Sequence, residues 1–379
     1  MSNTSAIVDN LVIGGGLAGS MAALRLAAAG CAVTLLEKEI SAHHKVCGEF
    51  LSSEAVEYLR QVGIDPLELG AATIRFVRLS SKRSVSETAL PFTALSLSRF
   101  SLDEAILSQA VERGCDVQRG AFVERLTTQD NLWFAQLRYG KSLCAQTVFL
   151  ASGKHDLQGW VRPRAGQSDL VAFKMHWQLS RAHTEALREF IEIFLFSGGY
   201  GGLALVERDA VNMCLAVRRA RLRSIGGWNG LLASILDENR HMQQRMHKAK
   251  PLWDKPFAIS PIPYGYLAGR PCDLWRVGDQ AAVVPSFTGD GMSIALHSAV
   301  LATEMYLAGK SVGQYDRRLH TELGRGISLA TLLSRTIVTD AGRYLAPFCL
   351  SLFPEAMRWI AASTRIPEHN CLTSPNNSR

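Results

Sequence analysis

The sequence predicts an α/β fold in which a parallel sheet carries a long antiparallel insertion and a helical segment follows it. Three observations lead to this prediction. Residues 7–38 run strand, helix, strand, which is a βαβ unit with a right-handed crossover. Short strands separated by turn residues fill much of 116–219. Beyond Ser293 the apolar spacing is helical to about residue 365.

The N-terminal elements follow from hydrophobic runs and from the residues that interrupt them. The strand at 7–13 leads through GGGLAGS into a helix that ends near residue 29, and CAVTLLEK forms the second strand. A helix is predicted over 50–63, where Gly63 ends it, and weak alternation predicts strands over 73–90.

The middle of the chain is rich in strands. In SRFSLDEAILSQAVERG a capping box predicts that Ser101 caps a helix, that Glu104 reaches back to its amide, and that Gly114 ends the helix. Strands with turns at QDN and YGK follow as a meander that returns to the parallel sheet at residue 150. Further strands are LVAFKMHWQL, EFIEIFLF, LALVE and VNMCLAV, and GWNGLLASILDENRHMQQRMHKA is predicted to be one amphipathic helix.

Composition narrows the classes of function. Lys and Arg number 41 against 34 Asp and Glu, and these basic residues are dispersed, so no nucleic-acid arm is predicted. A net charge of +7 favours anionic ligands or a membrane surface instead. The eight cysteines occur singly, which predicts no metal site and fits a reducing compartment. With no signal peptide and no apolar run of membrane-spanning length, a cytoplasmic protein is expected.

A glycine motif lies between the first strand and the first helix. Gly14, Gly16 and Gly19 form G-x-G-x-x-G, in which the first glycine permits a tight turn, the second lets a pyrophosphate approach the backbone, and the third allows close helix–strand packing. Glu37 ends the second strand, where an acid holds ribose hydroxyls. The strand, the helix and the acid together predict a dinucleotide site. The long antiparallel insertion and the later Gly-Asp turn favour FAD over NAD.

Four segments extend this pattern. They are IVDNLVIGGGLAGSMAALRLAAAG with LLEK, KVCGEFLS, LSRFSLDEAILSQA, and RVGDQAAVVPSFTGDGMSIALHSA. In these the chain resembles the FAD-dependent oxidoreductases of the para-hydroxybenzoate hydroxylase fold, nearest the geranylgeranyl reductase and FixC-like branch. The resemblance implies a Rossmann-like, glutathione-reductase-type FAD domain with an inserted antiparallel-sheet substrate domain. The expected boundaries are 1–72, 99–160 and 268–315 for the FAD domain, 73–98 and 161–267 for the substrate domain, 316–366 for C-terminal helices and 367–379 for a disordered tail.

The resemblance also implies roles for individual residues. Asp279 would contact a ribityl hydroxyl, and the loop from Pro285 would pass beside the flavin ring, with its glycines acting through backbone amides. Asp290 would serve only to cap the following helix. The full set expected to bind FAD is Gly14, Gly16, Leu17, Ala18, Gly19, Glu37, Lys38, Lys45, Cys47, Gly48, Arg99, Gly153, Gly278, Asp279, Pro285, Gly289, Gly291 and Met292.

The sequence departs from the hydroxylase pattern after the meander. Where an Asp-Gly pair is usual, LASGKHDLQGW has Ser152 before Gly153, and Asp156 follows three residues later. The electron donor is therefore open between NAD(P)H and a separate reductase or electron carrier. The halogenase signature W-x-W-x-I-P is missing from the sequence, so a halogenase is not expected.

Candidate catalytic residues are weak. His155, with Asp156 and Trp160, faces the flavin edge or only holds a turn, and Cys47 is a redox thiol or a buried small side chain. Tyr200 is predicted to be part of a lid, and His43 and His44 lie at the entrance. Two apolar regions of the sequence each have more than one interpretation. Phe173, Met175, Trp177, Phe194 and Phe196 line a cavity or pack a sheet face, and LAPFCLSLFPEAMRWIAAS roofs a channel, forms a dimer surface, contacts a membrane peripherally or packs as core.

These observations predict an FAD-dependent oxidoreductase of a small hydrophobic or aromatic substrate. A monooxygenase is the first expectation, because the PSFTGDGM loop and the meander are typical of that flavin site. A reductase or dehydrogenase of prenyl-like alkenes is the alternative, and a non-catalytic flavin-bound accessory protein is a third. The substrate and the oligomeric state are not determined by the sequence.

Overall fold

The structure is a computed structural model that describes residues 7–82, 84–163, 166–269, 273–339 and 341–342. The predicted disordered tail and the apolar segment LAPFCLSLFPEAMRWIAAS lie outside the described residues. So does the last part of the predicted C-terminal helical region.

The described residues form strands and helices in the following order. The strands are β1 (Ile7–Ile13), β2 (Val33–Glu37), β3 (Phe50–Leu51), β4 (Ala72–Ser81), β5 (Ser84–Ser96), β6 (Asp116–Arg119), β7 (Val123–Gln129), β8 (Leu132–Leu137), β9 (Ser142–Leu150), β10 (Leu170–Gln178), β11 (Glu189–Phe196), β12 (Gly199–Leu205), β13 (Val211–Arg218), β14 (Lys250–Pro251), β15 (Phe257–Ile259), β16 (Tyr266–Leu267), β17 (Trp275–Arg276) and β18 (Ala282–Val283). The helices are α1 (Leu17–Ala28), α2 (Ser53–Gln61), α3 (Arg99–Glu112), α4 (Arg181–Glu185), α5 (Arg219–Ser224), α6 (Trp228–Glu238), α7 (Arg240–Arg245), α8 (Gly291–Leu307) and α9 (Val312–Ile337).

The first sheet has the order β6-β2-β1-β9-β8-β7, with β17 also paired to β9. Strands β6, β2, β1, β9 and β17 are parallel, and β8 and β7 continue as the antiparallel meander. Every residue of β2 is buried, as expected for a parallel strand covered on both faces. The core beside this sheet comes from α1, α2, α3 and α8. The strand ends of β1, β2 and β9 therefore open at one edge.

The second sheet has the order β14-β10-β13-β12-β11-β4-β5-β3, with β15 on β10, and it is antiparallel except where β11 meets β4. One face packs on α6 and α7. Phe173, Met175, Trp177, Phe194 and Phe196 all lie in that core, so the packed-face interpretation is confirmed and the cavity-lining one is wrong for these five. The α/β fold class with an inserted, mainly antiparallel sheet is likewise confirmed.

Two helix predictions need correction. Helix α3 begins at Arg99 and is capped by Ser98, whose Oγ accepts the Ser101 amide at 3.2 Å, while Glu104 binds Arg119 at 2.6 Å instead of closing a capping box. The predicted single helix over 227–249 is two helices, because buried Asn239 leaves the helical conformation between them. Its Oδ1 caps α7 by accepting the Met242 amide at 3.1 Å.

Helices α8 and α9 follow the second Gly-Asp turn. Ser311 and Gln314 form a capping box that starts α9. Among the described residues no helix has both the length and the apolar character needed to cross a bilayer.

Candidate cofactor and substrate cavity

A cavity of about 800 Å³ runs from the open edge of the first sheet to one face of the second. Its walls include the turns after β1, β2 and β9, the VCGE segment at 46–49, the Gly-Asp turn at 278–279 and the loop at 286–291. Every residue predicted to bind FAD lines it except Gly19 and Pro285. The structure thus brings together predicted residues as far apart in the chain as Gly14 and Met292, which are separated by 278 positions.

The glycine motif builds the first wall of this cavity. Gly14 has φ +109°, and a Cβ there would lie 2.4 Å from the Ala151 carbonyl oxygen, so only glycine fits the turn. A Cβ on Gly19 would lie 1.8 Å from the Gly14 oxygen. Gly19 therefore packs α1 against the turn and does not line the cavity. This is the packing role that the motif predicts for it.

Two cations face the start of α1. A Cβ on Gly16 would lie 3.2 Å from Lys45 Nζ and 3.3 Å from an Arg99 guanidinium nitrogen. The helix N-terminus adds its own partial positive charge, so this space suits an anion such as a pyrophosphate. Both cations are held by Asp103, which accepts from Lys45 at 2.8 Å and from Arg99 Nε at 2.6 Å. Burial alone would raise the pKa of the Asp103 carboxyl, but Arg99 and Lys45 hold it below its ordinary value.

Glu37 lies at the end of β2 beside the glycine turn. Its Oε2 accepts the Gly15 amide at 2.6 Å, and its Oε1 accepts the Glu39 amide at 3.0 Å. The carboxylate is buried and is fixed by backbone donors at the cavity wall. This is the position at which the dinucleotide motif requires an acid.

The Gly-Asp turn at 278–279 is clamped to the loop that follows β9. Asp279 Oδ2 pairs with Lys154 Nζ at 3.2 Å. Arg162 donates to the main-chain carbonyl oxygen of Asp279 at 2.7 Å and to that of Lys154 at 2.8 Å. Its Nε donates to Asp156 Oδ1 at 2.6 Å. Gln280 adds hydrogen bonds to the carbonyls of Gly153 and His155. Lys154 and Arg162 are not among the site residues predicted from the sequence.

The loop from Pro285, which the resemblance predicts beside the flavin ring, precedes α8. Gly289 has φ +78°, and a Cβ there would lie 2.7 Å from the Phe50 ring. Gly291 and Met292 begin α8 on the cavity wall. Asp290 occupies the N-cap position, but its side chain makes no capping hydrogen bond, so the predicted capping role is wrong. Pro285 precedes the loop and does not itself line the cavity.

Glu49 is the main site residue that sequence reasoning missed. It is fully buried at φ +58°, and its carboxylate accepts from the Arg99 amide at 2.8 Å, from His176 Nε2 at 2.9 Å and from Lys174 Nζ. Burial alone would raise the pKa of Glu49, but Lys174 and His176 lower it. The available signal was a lysine within the apolar strand LVAFKMHWQL, because a buried lysine requires an anionic partner.

Glu49 also belongs to a group with metal-ligating atoms. Ligand atoms of His44, Glu49 and His176 lie within 4.8 Å of one another. The Lys174 ammonium already contacts the same carboxylate, and its positive charge opposes a cation there. His44 instead packs among aromatic rings, 4.5 Å from Trp253 and 5.1 Å from Phe100 between ring centroids. His43 and His44 both line the cavity, as expected of residues near its entrance.

The cysteine candidate lines the cavity. Cys47 Sγ accepts the Glu49 amide at 3.4 Å, and the Cys47 carbonyl accepts from Asn212 at 3.1 Å. Cys214 of β13 lines the same cavity, and both thiols are free. Burial raises the pKa of Cys214 to about 12, so Cys214 stays a neutral thiol.

The other catalytic candidates separate into two groups. His155 and Tyr200 line the cavity, whereas Trp160 packs on Trp133 and donates to the Leu126 oxygen, so it holds a turn. Burial, with the charges of Lys38, Lys154 and Arg162, lowers the pKa of His155. Burial raises the pKa of Tyr200 well above its ordinary value. The Tyr200 and Tyr264 hydroxyls lie 3.2 and 2.9 Å from Ser286 Oγ, fixing the loop before α8.

The far end of the cavity is apolar. Leu79, Ile193, Gly202 and Cys214 form one cross-strand row over β4, β11, β12 and β13, and all four line the cavity. Lys174 is the next residue in this row, on β10, where Glu49 covers it. The sheet face thus changes from aliphatic at β4 and β11 to polar at β10. Further apolar lining comes from Val77, Leu90, Phe92, Ile191, Leu195, Ala204, Ile262, Phe287 and Ile337.

Comparison with known proteins identifies the class. Residues 7–184 match the FAD binding domain family. The chain is 26% identical to a menaquinone reductase of Mycolicibacterium smegmatis, over 86% of this chain and 83% of that protein. It is 24% identical to digeranylgeranylglycerophospholipid reductase 2 of Methanopyrus kandleri, over 86% of each. The solved structure of the myxobacterial chondrochloren halogenase aligns with a TM-score of 0.74 and 21% identity, covering 95% of this chain and 91% of that one.

The protein is a flavoprotein, and its cofactor is FAD. It is an FAD-dependent oxidoreductase with the fold of the FAD-dependent halogenases and hydroxylases, and it is similar to proteins named menaquinone reductase, digeranylgeranylglycerophospholipid reductase and FixC. The donor set fits this cofactor, because the space that a Cβ on Gly16 would fill faces two cations and the Glu37 carboxylate is fixed at the neighbouring wall. The halogenase likeness concerns the fold alone.

Proposed function

We propose that the protein is an FAD-dependent reductase that saturates a carbon–carbon double bond in a long, apolar, prenyl-like substrate. The observation that carries this proposal is the aliphatic far end of the cavity, built on the row from Leu79 to Gly202. The sequence alone favoured a monooxygenase, with this reductase as its alternative. The shape and chemistry of the apolar end support the alternative.

The apolar end favours a hydrocarbon chain for a simple energetic reason. Each methylene group of a ligand that moves from water onto such a surface adds about 0.8 kcal/mol of favourable binding free energy. The described residues that line this end carry no formal charge, and the hydroxyls of Tyr200, Tyr264 and Ser286 are hydrogen-bonded to one another. A small aromatic acid would find no cation there to bind its carboxylate. A long flexible chain would gain from the whole length of the sheet face.

The residues of the chain have distinct roles in such a reaction. When bound and reduced by an external donor such as a nicotinamide or an electron carrier, FAD would supply hydride chemistry for one alkene carbon, and the other carbon would take up a proton that comes ultimately from solvent. Lys45 and Arg99 would hold its pyrophosphate, and Asp103 orients both cations. Tyr200 keeps its proton at neutral pH and holds the loop before α8 in place. The aliphatic side chains exclude water from the reacting bond.

The relatives support the same direction. The menaquinone reductase and the digeranylgeranylglycerophospholipid reductase are both named as reductases and align over most of their length. Their names describe large lipid-soluble molecules with apolar chains. A cavity whose far wall is aliphatic suits substrates of that kind.

An anaerobic single-turnover experiment tests the proposal. The FAD-loaded protein is photoreduced without oxygen and mixed with a geranylgeranyl-type lipid, and the flavin absorbance is followed while the product is analysed by mass spectrometry. We expect flavin oxidation together with a gain of two hydrogens by the lipid. The fully saturated lipid of equal length is the matched control and should leave the flavin reduced. Flavin oxidation that requires oxygen and yields a hydroxylated product would establish a monooxygenase instead.

A further inference from the structure

Lys154 stands at the point where the sequence departs from the hydroxylase pattern. The resemblance places an acid before Gly153, but the chain has Ser152 there and a lysine directly after the glycine. Gly153 adopts φ +64° with open space around it, which permits the turn after β9. That turn carries Lys154 onto the cavity wall.

The Lys154 ammonium connects two other parts of the wall. Its Nζ lies 3.2 Å from Asp279 Oδ2 and 3.4 Å from the Val46 carbonyl oxygen. Its side chain is 26% exposed, facing the cavity, and that of Asp279 is 24% exposed. The ammonium therefore lies between the VCGE segment and the Gly-Asp turn.

The backbone on both sides of this lysine is fixed. The buried Arg162 side chain donates to the main-chain carbonyl oxygen of Lys154 at 2.8 Å and to that of Asp279 at 2.7 Å. Gln280 Nε2 donates to the carbonyls of Gly153 at 2.9 Å and His155 at 3.0 Å. A charge held by such a clamp needs little reorganisation when a neighbouring group changes its own charge.

Among the described residues, the other acids near Lys154 are paired with other cations. Asp156 is paired with Arg162, and Asp103 with Arg99 and Lys45, so Asp279 is the acid that faces Lys154. Burial alone would lower the pKa of Lys154, but Asp279 raises it, so the ammonium persists at neutral pH. Within the described part of the chain, Lys154 pairs with Oδ2 of Asp279, which leaves Oδ1 to contact another group.

We propose that Lys154 stabilises the negative charge that FAD gains on reduction and thereby raises the midpoint potential of the flavin. A fixed cation in a partly buried wall interacts more strongly with an added negative charge than with a neutral ring. The hydroxylase pattern has an acid before Gly153, whereas this protein has a lysine after it. Lys154 thus gives the site a preference for the reduced cofactor. This role rests on FAD binding and not on the identity of the substrate.

The test compares Lys154→Met with Lys154→Arg and with Lys141→Met, an exposed lysine in the turn before β9. The midpoint potential of bound FAD and the affinity of the oxidised flavin for sulfite, which leaves negative charge on the ring, are measured without any substrate. We expect Lys154→Met to lower the midpoint potential of bound FAD by ~30 mV, which is a tenfold shift of a two-electron equilibrium away from the reduced form. The same variant should bind sulfite more weakly. Lys154→Arg and Lys141→Met should stay near the wild type.

Asp279→Asn provides a second, opposite test on the same pair. It removes the negative charge facing Lys154, so the potential should rise. An unchanged potential in both Lys154→Met and Asp279→Asn would overturn the proposal. So would an equal loss of affinity for oxidised and reduced FAD in Lys154→Met, because that result would make the lysine an anchor for the phosphates. The anaerobic lipid experiment is independent of both outcomes.

Discussion

Glu49 and Lys174 form an ion pair that solvent does not reach, since neither side chain exposes any surface. The pair joins the VCGE segment to β10 of the second sheet. Glu49 also accepts the Arg99 amide, so the same carboxylate links the sheet to the helix whose guanidinium faces Gly16. The two ends of the cavity are therefore connected through one buried anion.

We expect Lys174→Met to destabilise the protein by about 3–5 kcal/mol, because it leaves a buried carboxylate without its cation. Glu49→Gln should also destabilise it, and the double variant should lose less than the sum of the two. Urea denaturation of the single and double variants measures the coupling. Strictly additive losses would mean that the pair does not act as a unit.

Asp316 of α9 gives a pH-dependent prediction. Burial raises the pKa of its carboxyl from 3.8 to about 6, with Arg276 and His320 opposing the rise. The contribution of the neutral Asp316 carboxyl to the free energy of unfolding is therefore fully present below about pH 4, and it is lost as the pH rises through about 6. Asp316→Asn should match the wild type near pH 4 and exceed it by about 1–3 kcal/mol near pH 8. Exposed Asp273→Asn is the control, and an equal difference at both pH values would contradict the assignment.

Asp279→Ala should weaken FAD binding at least about tenfold without unfolding the protein, since a lost charged hydrogen bond costs about 1.5–3 kcal/mol. The reason is that its carboxylate lies on the cavity wall with one oxygen paired to Lys154. Titration of the apoprotein with FAD, followed by fluorescence quenching, measures the effect. Asp273→Ala serves as the exposed control. Unchanged FAD affinity in a folded Asp279→Ala protein would remove this residue from the site.

Gly202 offers a way to fill the apolar end without disturbing the flavin end. A Cβ at this position meets nothing closer than the Glu192 oxygen at 3.8 Å, whereas one on neighbouring Gly201 would lie 2.2 Å from the Phe194 ring. Gly202→Leu should fold and bind FAD but lose turnover of long apolar substrates, with Gly202→Ala as the mild control. Gly201→Leu should fail to fold stably. Full turnover of a long substrate by Gly202→Leu would exclude this end of the cavity as its path.

Local sequence signals singled out several of the residues that line one wall of the cavity. Gly14 and Gly16, Glu37 and the Gly-Asp turn at 278–279 each depend on backbone geometry that a short stretch determines, and these residues line one cavity. The same local reasoning failed at Asn239, where a buried side chain bonded to Ser80 Oγ breaks an otherwise continuous helical pattern. A contact across 159 residues leaves no periodic signal in the sequence.

The polar residues that support the site were missed for the same reason. Glu49 and Lys174 are 125 residues apart, and Arg162 meets Asp279 across 117 residues. Glu49 and Arg162 each have an ordinary interpretation as surface charges, and only Lys174 carried a signal of burial, because it lies within an apolar strand. The sheet register pairs Lys174 with Cys214 and so brings the lysine next to the row of residues that lines the cavity.

A crystal structure of the FAD-loaded protein soaked with a geranylgeranyl-type lipid tests the central claim most directly. We predict that electron density for the hydrocarbon chain of the lipid lies along the sheet face formed by Leu79, Ile193 and Gly202, with one double bond of the lipid over the flavin ring. Density in the neighbouring cavity lined by Arg162, Arg219 and Pro263, with the apolar end left unoccupied, would contradict the account.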